Sequence, residues 1–338
     1  MLKILRKRYF DFSYEVRCLG LRVMILNVIF YLAYLESIDH NLVYIFASGG
    51  ILVIATLEAD AISMNRLANL WHMCLTSLGG GMAIIIGSLL NANFNCIVLF
   101  LIFFTIIVGL SRANITIILI TELFLSGTSM KFSMEGSFIY GLSFCVASLW
   151  FISLNLLREK FTPKNNSAKL LRISFIPLLN ITRENLFYAM RLVITTTISY
   201  YLVIHWHIPQ PNWVPMTVLI VLKFEQKIIG QRVIQRFGGT ICGCIIAAFI
   251  VLCISNKFIL IGLLLPSTYL LICSLPKHYA GYSCFVTVFV ALSLDIITNL
   301  DLKILEIRAI NTGIGVLIVA IMSLLFYLNS RISIKSMT

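Results

Sequence analysis

Glu122 lies between Thr121 and Leu123, midway through an apolar run. An ionised carboxylate inserted in the middle of such a run costs roughly 2.5–3.5 kcal/mol, so it should face a cavity or a partner. A proton-coupling role and a structural hydrogen bond are both open to it. A second pattern sets a basic residue before a Thr and a Gly: Arg236, Thr240, Gly243; Arg308, Thr312, Gly315; His72, Thr76, Gly79. These spacings fall on one helical face. The small-residue stripes extend as Gly79, Ala83, Gly87 and as Gly239, Gly243, Ala247. Such stripes let helices approach closely, with the Thr hydroxyl bonding across the contact or back to the backbone. A face of this kind could instead line a path whose basic end attracts anions. A third pattern is the run Pro209 to Thr217, rich in Pro. Trp213, Thr217, Tyr200 and Tyr201 offer rings and hydroxyls that could hold a carboxylate or an aromatic ring.

Membrane helices must position these groups. The chain has 338 residues, 59% hydrophobic and 12% charged, with mean hydropathy +0.96. Soluble domains carry about 25% charged residues. Apolar runs fall near 20–38, 42–57, 69–90, 94–110, 113–128 and 137–157, and again near 186–206, 212–223, 237–255, 257–275, 279–298 and 305–328. A bilayer-crossing helix needs roughly 20 apolar residues. The expected fold class is therefore all-α, a polytopic membrane protein of about 12 transmembrane helices. The expected organisation is a cytoplasmic N-terminal tail (1–19), a first six-helix half (20–157), a cytoplasmic linker (158–185), a second half (186–328) and a cytoplasmic C-terminal tail (329–338). The second and eighth spans read as interrupted, by Ser48-Gly49-Gly50 and by the prolines before Thr217. Broken helices at corresponding places in two halves point to a binding site.

The halves look like repeats. At one constant offset Arg22, Tyr31, Tyr44 and Ser48 meet Arg191, Tyr200, Trp213 and Thr217. At a second, Thr76, Gly79, Ala83 and Phe94 meet Thr240, Gly243, Ala247 and Phe258. Glu122 has no acidic mate, since Val286 stands there. Internal repeats in an apolar chain are a mark of transporters. An even number of spans per half gives both halves one orientation, related by an axis along the membrane normal.

Charge sets the topology. The net charge is +12, but the basic residues cluster in short loops, which favours a membrane over nucleic acid as partner. With the N-terminus inside, only Lys131, Lys257, Lys303 and Arg308 fall on the outer side. The reading is a bacterial inner (plasma) membrane protein with both termini cytoplasmic. Arg22 and Arg191 begin the first and seventh spans, where snorkelling to headgroups is the plain interpretation. Glu58, Asp60, Arg66, Lys223, Glu225 and Lys227 read as solvated loop charges.

Other chemistry finds little support. The nine cysteines lie mostly in apolar runs, with no C-x-x-C pair, so a disulfide framework is not expected. His205 and His207 alone make a poor metal site. No P-loop and no hydrolytic triad is visible. The expectation is no enzyme activity, no cofactor and no metal.

One stretch resembles a known family. Asn212-Trp213-Val214-Pro215-Met216-Thr217 is followed by Gln231-Arg232-Val233-Ile234-Gln235-Arg236-Phe237-Gly238-Gly239-Thr240-Ile241-Cys242-Gly243. This resembles the fusaric-acid-resistance-like family, which includes aromatic acid exporters and looks related to plant aluminium-activated malate transporters. Tyr279 to Thr287 and Arg308 to Gly315 resemble its later blocks. The likeness is best over 185–328. Large members carry cytoplasmic domains between and after the membrane halves, and the linker here is too short for one.

The resemblance implies export of small organic anions, aromatic carboxylates among them. It marks Trp213, Pro215, Thr217, Arg232, Arg236, Thr240 and Arg308 as substrate-binding candidates. Glu122 is the candidate for proton coupling, and Gly79, Ala83, Gly87, Gly239, Gly243, Ala247 and Gly315 are candidates for helix packing. A passive anion channel, or a non-transporting scaffold subunit of an envelope complex, stands as the alternative. Expected partners are the lipid bilayer and small organic anions. A periplasmic adaptor subunit and a homodimer are further candidates.

Overall fold

The computed structural model describes residues 13–37, 42–60, 66–91, 93–112, 114–129, 132–161, 181–275, 278–298 and 302–335. The expected N-terminal tail, linker and C-terminal tail each lie partly outside these residues. Among the described residues there are twelve helices and no strand. In order they are α1 (Tyr14–Glu36), α2 (Val43–Asp60), α3 (Arg66–Leu89), α4 (Phe94–Leu110), α5 (Ile115–Thr128) and α6 (Met134–Phe161). The second set is α7 (Arg183–His205), α8 (Trp213–Val221), α9 (Gln226–Cys253), α10 (Lys257–Ser274), α11 (Tyr279–Thr298) and α12 (Leu302–Lys335).

Capping side chains start several of them. Ser13 accepts from the Val16 amide, Asn114 from Thr116, Thr182 from Asn185 and Asn256 from Phe258. Each satisfies an amide that has no partner inside its own helix. On α1 the bodies of Leu19, Val23, Asn27 and Tyr31 are buried, while Leu21, Ile25, Ile29 and Leu32 are exposed. Both faces are thus apolar. That is the pattern of a helix with protein on one side and lipid on the other, not of a helix at a water surface.

Eight helices (α1, α3, α6, α7 and α9–α12) contain stretches long and apolar enough to cross a membrane. Helices α2, α4 and α5 are apolar but shorter. These features fit a multi-pass membrane protein. α8 has only nine residues. At a rise of 1.5 Å per residue it covers about 14 Å, less than half of a hydrocarbon core about 30 Å thick.

Three features differ from the sequence expectation. α2 runs unbroken through Ser48-Gly49-Gly50. The Ser48 hydroxyl bonds back to the Ile45 carbonyl, and a Cβ on Gly50 would collide with the Phe144 carbonyl. The glycine therefore serves a close helix approach and not a break. Pro215 also interrupts nothing. It sits in the first turn of α8, where its missing N–H has no intrahelical partner to lose. The shortness of α8 comes instead from the turn before it, where His207 and Gln210 have positive φ of 50° and 53°. α9 begins well before its apolar run, because Ile228, Ile229 and Val233 keep a helical period among polar neighbours.

The chain divides into two units. The first comprises Met1–Gly81, Ile139–Ile173 and Gly238–Leu305; the second comprises Met82–Phe138, Ser174–Phe237 and Glu306–Thr338. In the first unit α1 packs on α2 and α10, and α10 packs on α11. The Ser77 and Ser148 hydroxyls share a hydrogen bond of 2.5 Å between α3 and α6. In the second unit α7 packs on α8 and α4, and α5 packs on α4 and α8. Its core holds Leu101, Val108, Phe124, Leu192, Val218 and Val221, with Phe100 stacked on Phe124 and Phe104 tilted against it.

Candidate functional site

The second unit concentrates charge inside an apolar core. Glu122 stands one residue pair before Phe124 on α5, and its Oε1 is buried with no hydrogen-bond partner. The positive charges that act on this carboxylate are Arg236 on α9 and Lys223 in the turn after α8. Arg236 is only 5% exposed. The helices explain why these groups converge. α8 is too short to continue, so its end at Val221 brings the polar turn 222–225 against α7. There the Tyr188 hydroxyl donates to the Leu222 carbonyl at 2.9 Å, and Arg191 donates to the Lys223 carbonyl at 2.5 Å. Arg112 lies 5.5 Å over the Phe224 ring and donates to Asn185. Arg191 and Arg112 thus flank a turn that itself holds Lys223 and Glu225, and Lys223 acts together with Arg236 on Glu122. Low-dielectric surroundings strengthen such a field far beyond its value in water.

Arg191 is 2% exposed and bonded to a backbone carbonyl, so it does not snorkel. Its repeat counterpart Arg22 does not snorkel freely either. It pairs with Glu58 at 3.4 Å and bonds Asn155, while Asn155 donates to the other Glu58 oxygen. Glu58 is accordingly a structural partner and not a solvated loop charge. Among the described residues an acid neutralises the arginine of the first unit and none neutralises that of the second. The side chains of Asp60 and Arg66 lie outside the described set.

The other end of α8 is also built. Arg308 lies 4.7 Å over the Trp213 ring, a cation–π contact. Asn212 donates to the Leu125 carbonyl and to Thr128, and Asn311 donates to the carbonyls of Pro209 and Gln210. The Oδ1 atoms of both Asn212 and Asn311 are buried without a partner. Sequence reasoning did not single out these two asparagines. Asn212 stood within a quoted segment, but its reach to α5 has no local signature.

The sequence-derived candidates divide between the units. Glu122, Trp213, Pro215, Thr217, Arg232, Arg236 and Arg308 fall in the second, with Ala83, Gly87 and Gly315. Thr240, Gly79, Gly239, Gly243 and Ala247 fall in the first. Thr217 donates to the Trp213 carbonyl and is 2% exposed, with its side chain filling the space where a Cβ on Gly315 would stand. Thr240 shares a hydrogen bond with Ser283 at 3.2 Å. Thr217 thus packs its methyl group against α12 while its hydroxyl turns back to its own helix, and the Thr240 hydroxyl bridges α9 and α11. Arg232 is half-buried on α9.

Glycines make the closest approaches. A Cβ on Gly87 would meet the Phe124 carbonyl, and one on Gly243 the Cys284 carbonyl at 2.5 Å. One on Gly239 would meet Ala280. Gly79 is half-buried, and the tight approach near it on α3 belongs to Gly81, against Cys145 and Gly141. Ala83 and Ala247 are buried.

Two further polar residues escaped the sequence reading. Asn27 and Thr196 are both wholly buried, and their side-chain polar atoms have no partner. They are related by the same offset as Arg22 and Arg191, which was the available signal. Among the described residues no group of three His, Cys, Asp or Glu could hold a metal, and all nine cysteines are free. His205 stacks on Tyr201.

No curated protein and no solved structure matches the chain. Residues 194–322, running from within α7 into α12 and spanning Trp213, Arg236 and Arg308, match the family model described as fusaric acid resistance protein-like.

Proposed function

We propose that the protein is a transporter of small organic anions, aromatic carboxylates among them, and that the anion is recruited at the charged turn between α8 and α9. The observation that carries this reading is the gathering of Lys223, Arg191 and Arg112 at that turn in an apolar unit, with Lys223 and Arg236 acting on the buried carboxylate of Glu122. Buried charge in a membrane helix is costly and is usually retained for a substrate or ion path. The half-length α8 supports the same reading, since short segments leave polar backbone that only protein or a water-filled cavity can satisfy. The match over 194–322 adds an association with resistance to an aromatic acid.

The same proposal includes two six-helix repeats, with twelve membrane segments counting α8. The packing supports it. α1 packs on α2 and α10, as α7 packs on α8 and α4; α10 packs on α11, as α4 packs on α5. Gly20 meets Cys273, and Ala189 meets Gly109, at positions related by the two sequence offsets. The basic bias of the loops supports a plasma-membrane location with both termini cytoplasmic.

Purified protein in vesicles tests the function. Saturable flux of labelled benzoate above that of protein-free vesicles is expected. Absence of flux for every acid in a panel of aromatic and aliphatic carboxylates, together with a stable co-purifying partner, would replace transport with a scaffold role.

A further inference from the structure

The geometry points to an oxyanion site at Arg191: a carboxylate or phosphate takes, at this arginine, the place that the Glu58 carboxylate holds at Arg22. In the transport reading above, on which this inference rests, the occupant is the transported acid.

Arg22 and Arg191 correspond at a constant sequence offset, and their partners differ. Every nitrogen of the Arg22 guanidinium is bonded: Nε to the Cys18 carbonyl at 3.3 Å, Nη1 to Asn155, and Nη2 to Glu58 at 3.4 Å. The side chains of this pair are 27% and 24% exposed. Arg191 is buried far more deeply, at 2%. Yet its Nη2 donates to a neutral group, the Lys223 carbonyl, and its Nε is buried with no hydrogen-bond partner. The Tyr188 ring, 5.4 Å from the guanidinium carbon, offers only a π face. Among the described residues no acid bonds Arg191. Glu184 on the same helix and Glu225 in the turn are both exposed. The arginine that most needs a counter-charge therefore lacks one within the chain. A guanidinium cannot escape by losing its proton, and a buried charge without a partner is costly. An anion from outside the chain supplies what Glu58 supplies to Arg22.

Nε and Nη2 lie on one edge of the guanidinium plane, and their N–H bonds run nearly parallel. That edge matches two oxygens of a carboxylate or phosphate. Access to it comes through the turn that covers it. The Tyr188 hydroxyl holds the Leu222 carbonyl at 2.9 Å, and Arg191 holds the next carbonyl. Lys223 and Phe224 are half-buried, and Glu225 and Gln226 are exposed. An arriving oxyanion replaces the Lys223 carbonyl on Nη2 and gains Nε as well. The released carbonyl sits on a turn at the surface, where water satisfies it. A bond from guanidinium to an anion is stronger than one to a neutral carbonyl, which favours the exchange. Arg112, 5.5 Å over the Phe224 ring, adds positive charge at the same turn.

Equilibrium dialysis of the full chain in lipid-free detergent tests the site. Benzoate, inorganic phosphate and short-chain phosphatidylglycerol serve as separate probes, and only monodisperse protein is measured. Saturable benzoate binding is expected for the wild type. Arg191→Lys keeps the charge but loses the paired edge, and should weaken binding roughly ten- to a hundredfold. Tyr188→Phe removes one tie on the covering turn and should tighten binding, an effect that a purely structural Arg191 would not produce. Unchanged affinity in Arg191→Lys overturns the site. Where that variant fails to fold, Tyr188→Phe decides, and unchanged affinity there overturns it equally. Binding of phosphate or phosphatidylglycerol alone, dependent on Arg191, keeps the site and makes its occupant a phosphate or lipid headgroup, against the transport reading. Benzoate flux by the wild type with an unchanged KM in Arg191→Lys removes the site and leaves transport standing. No binding of any probe by the wild type overturns the site whatever the flux.

Discussion

At the scale of single residues, burial separates what looks alike in the sequence. Arg22 and Arg191 occupy repeat-equivalent positions, yet one is neutralised by Glu58 and the other holds the backbone of the α8–α9 turn. Sequence alone placed both at a headgroup, since neither Lys223 nor its carbonyl is near Arg191 along the chain. The same limit applied to Glu122. Its cost in an apolar run was legible, while its approach to Arg236 was not, because the two residues belong to different helices in different halves. The Trp213–Arg308 contact can be checked alone. A cation–π contact is worth about 0.5–2 kcal/mol. Trp213→Leu should lower stability by about 1 kcal/mol and Trp213→Phe by less. Equal thermal unfolding in detergent for both variants would count against a contribution from the ring face.

At the scale of helices, glycines decide how closely α9 and α11 approach. Gly239 and Gly243 face the carbonyls of Ala280 and Cys284, and a Cβ at either would require the backbone to move. Gly243→Leu should therefore abolish folded expression or reduce it severely. Leu252→Ile, at a side chain 69% exposed, should be neutral. Similar yields of monodisperse protein for the two variants would contradict the packing. Apolar runs made most helices legible. The start of α9 was not, since Gln226 to Gln235 alternates apolar and polar residues at helical period and adds no hydropathy. Ser48-Gly49-Gly50 was read as a break because glycine weakens an isolated helix. Packing against Phe144 outweighs that preference here.

At the scale of the whole chain, each unit draws helices from both halves: α1, α2, α10 and α11 in one, and α4, α5, α7 and α8 in the other. The two constant offsets made a repeat legible, but not this mixing, which depends on contacts between segments far apart in sequence. The mixing is testable by cross-linking. With a protease site engineered into the linker, Gly20→Cys should bond to Cys273 in a background without other cysteines. That disulfide should keep the two cleaved fragments together on a denaturing gel, and reduction should release them. Fragments that separate without reductant would break the proposed equivalence.

The concentration dependence of flux for Arg236→Gln decides whether Arg236 recruits an anion. Hydrogen bonds to charged groups contribute about 1.5–3 kcal/mol, or roughly ten- to a hundredfold in affinity. Recruitment requires an apparent KM for benzoate raised by that factor, with flux recovering at high concentration and with Arg236→Lys intermediate. A cation that instead anchors lipid phosphate would change only the dependence on vesicle composition. An unchanged KM for benzoate and for every other acid carried would contradict recruitment at Arg236.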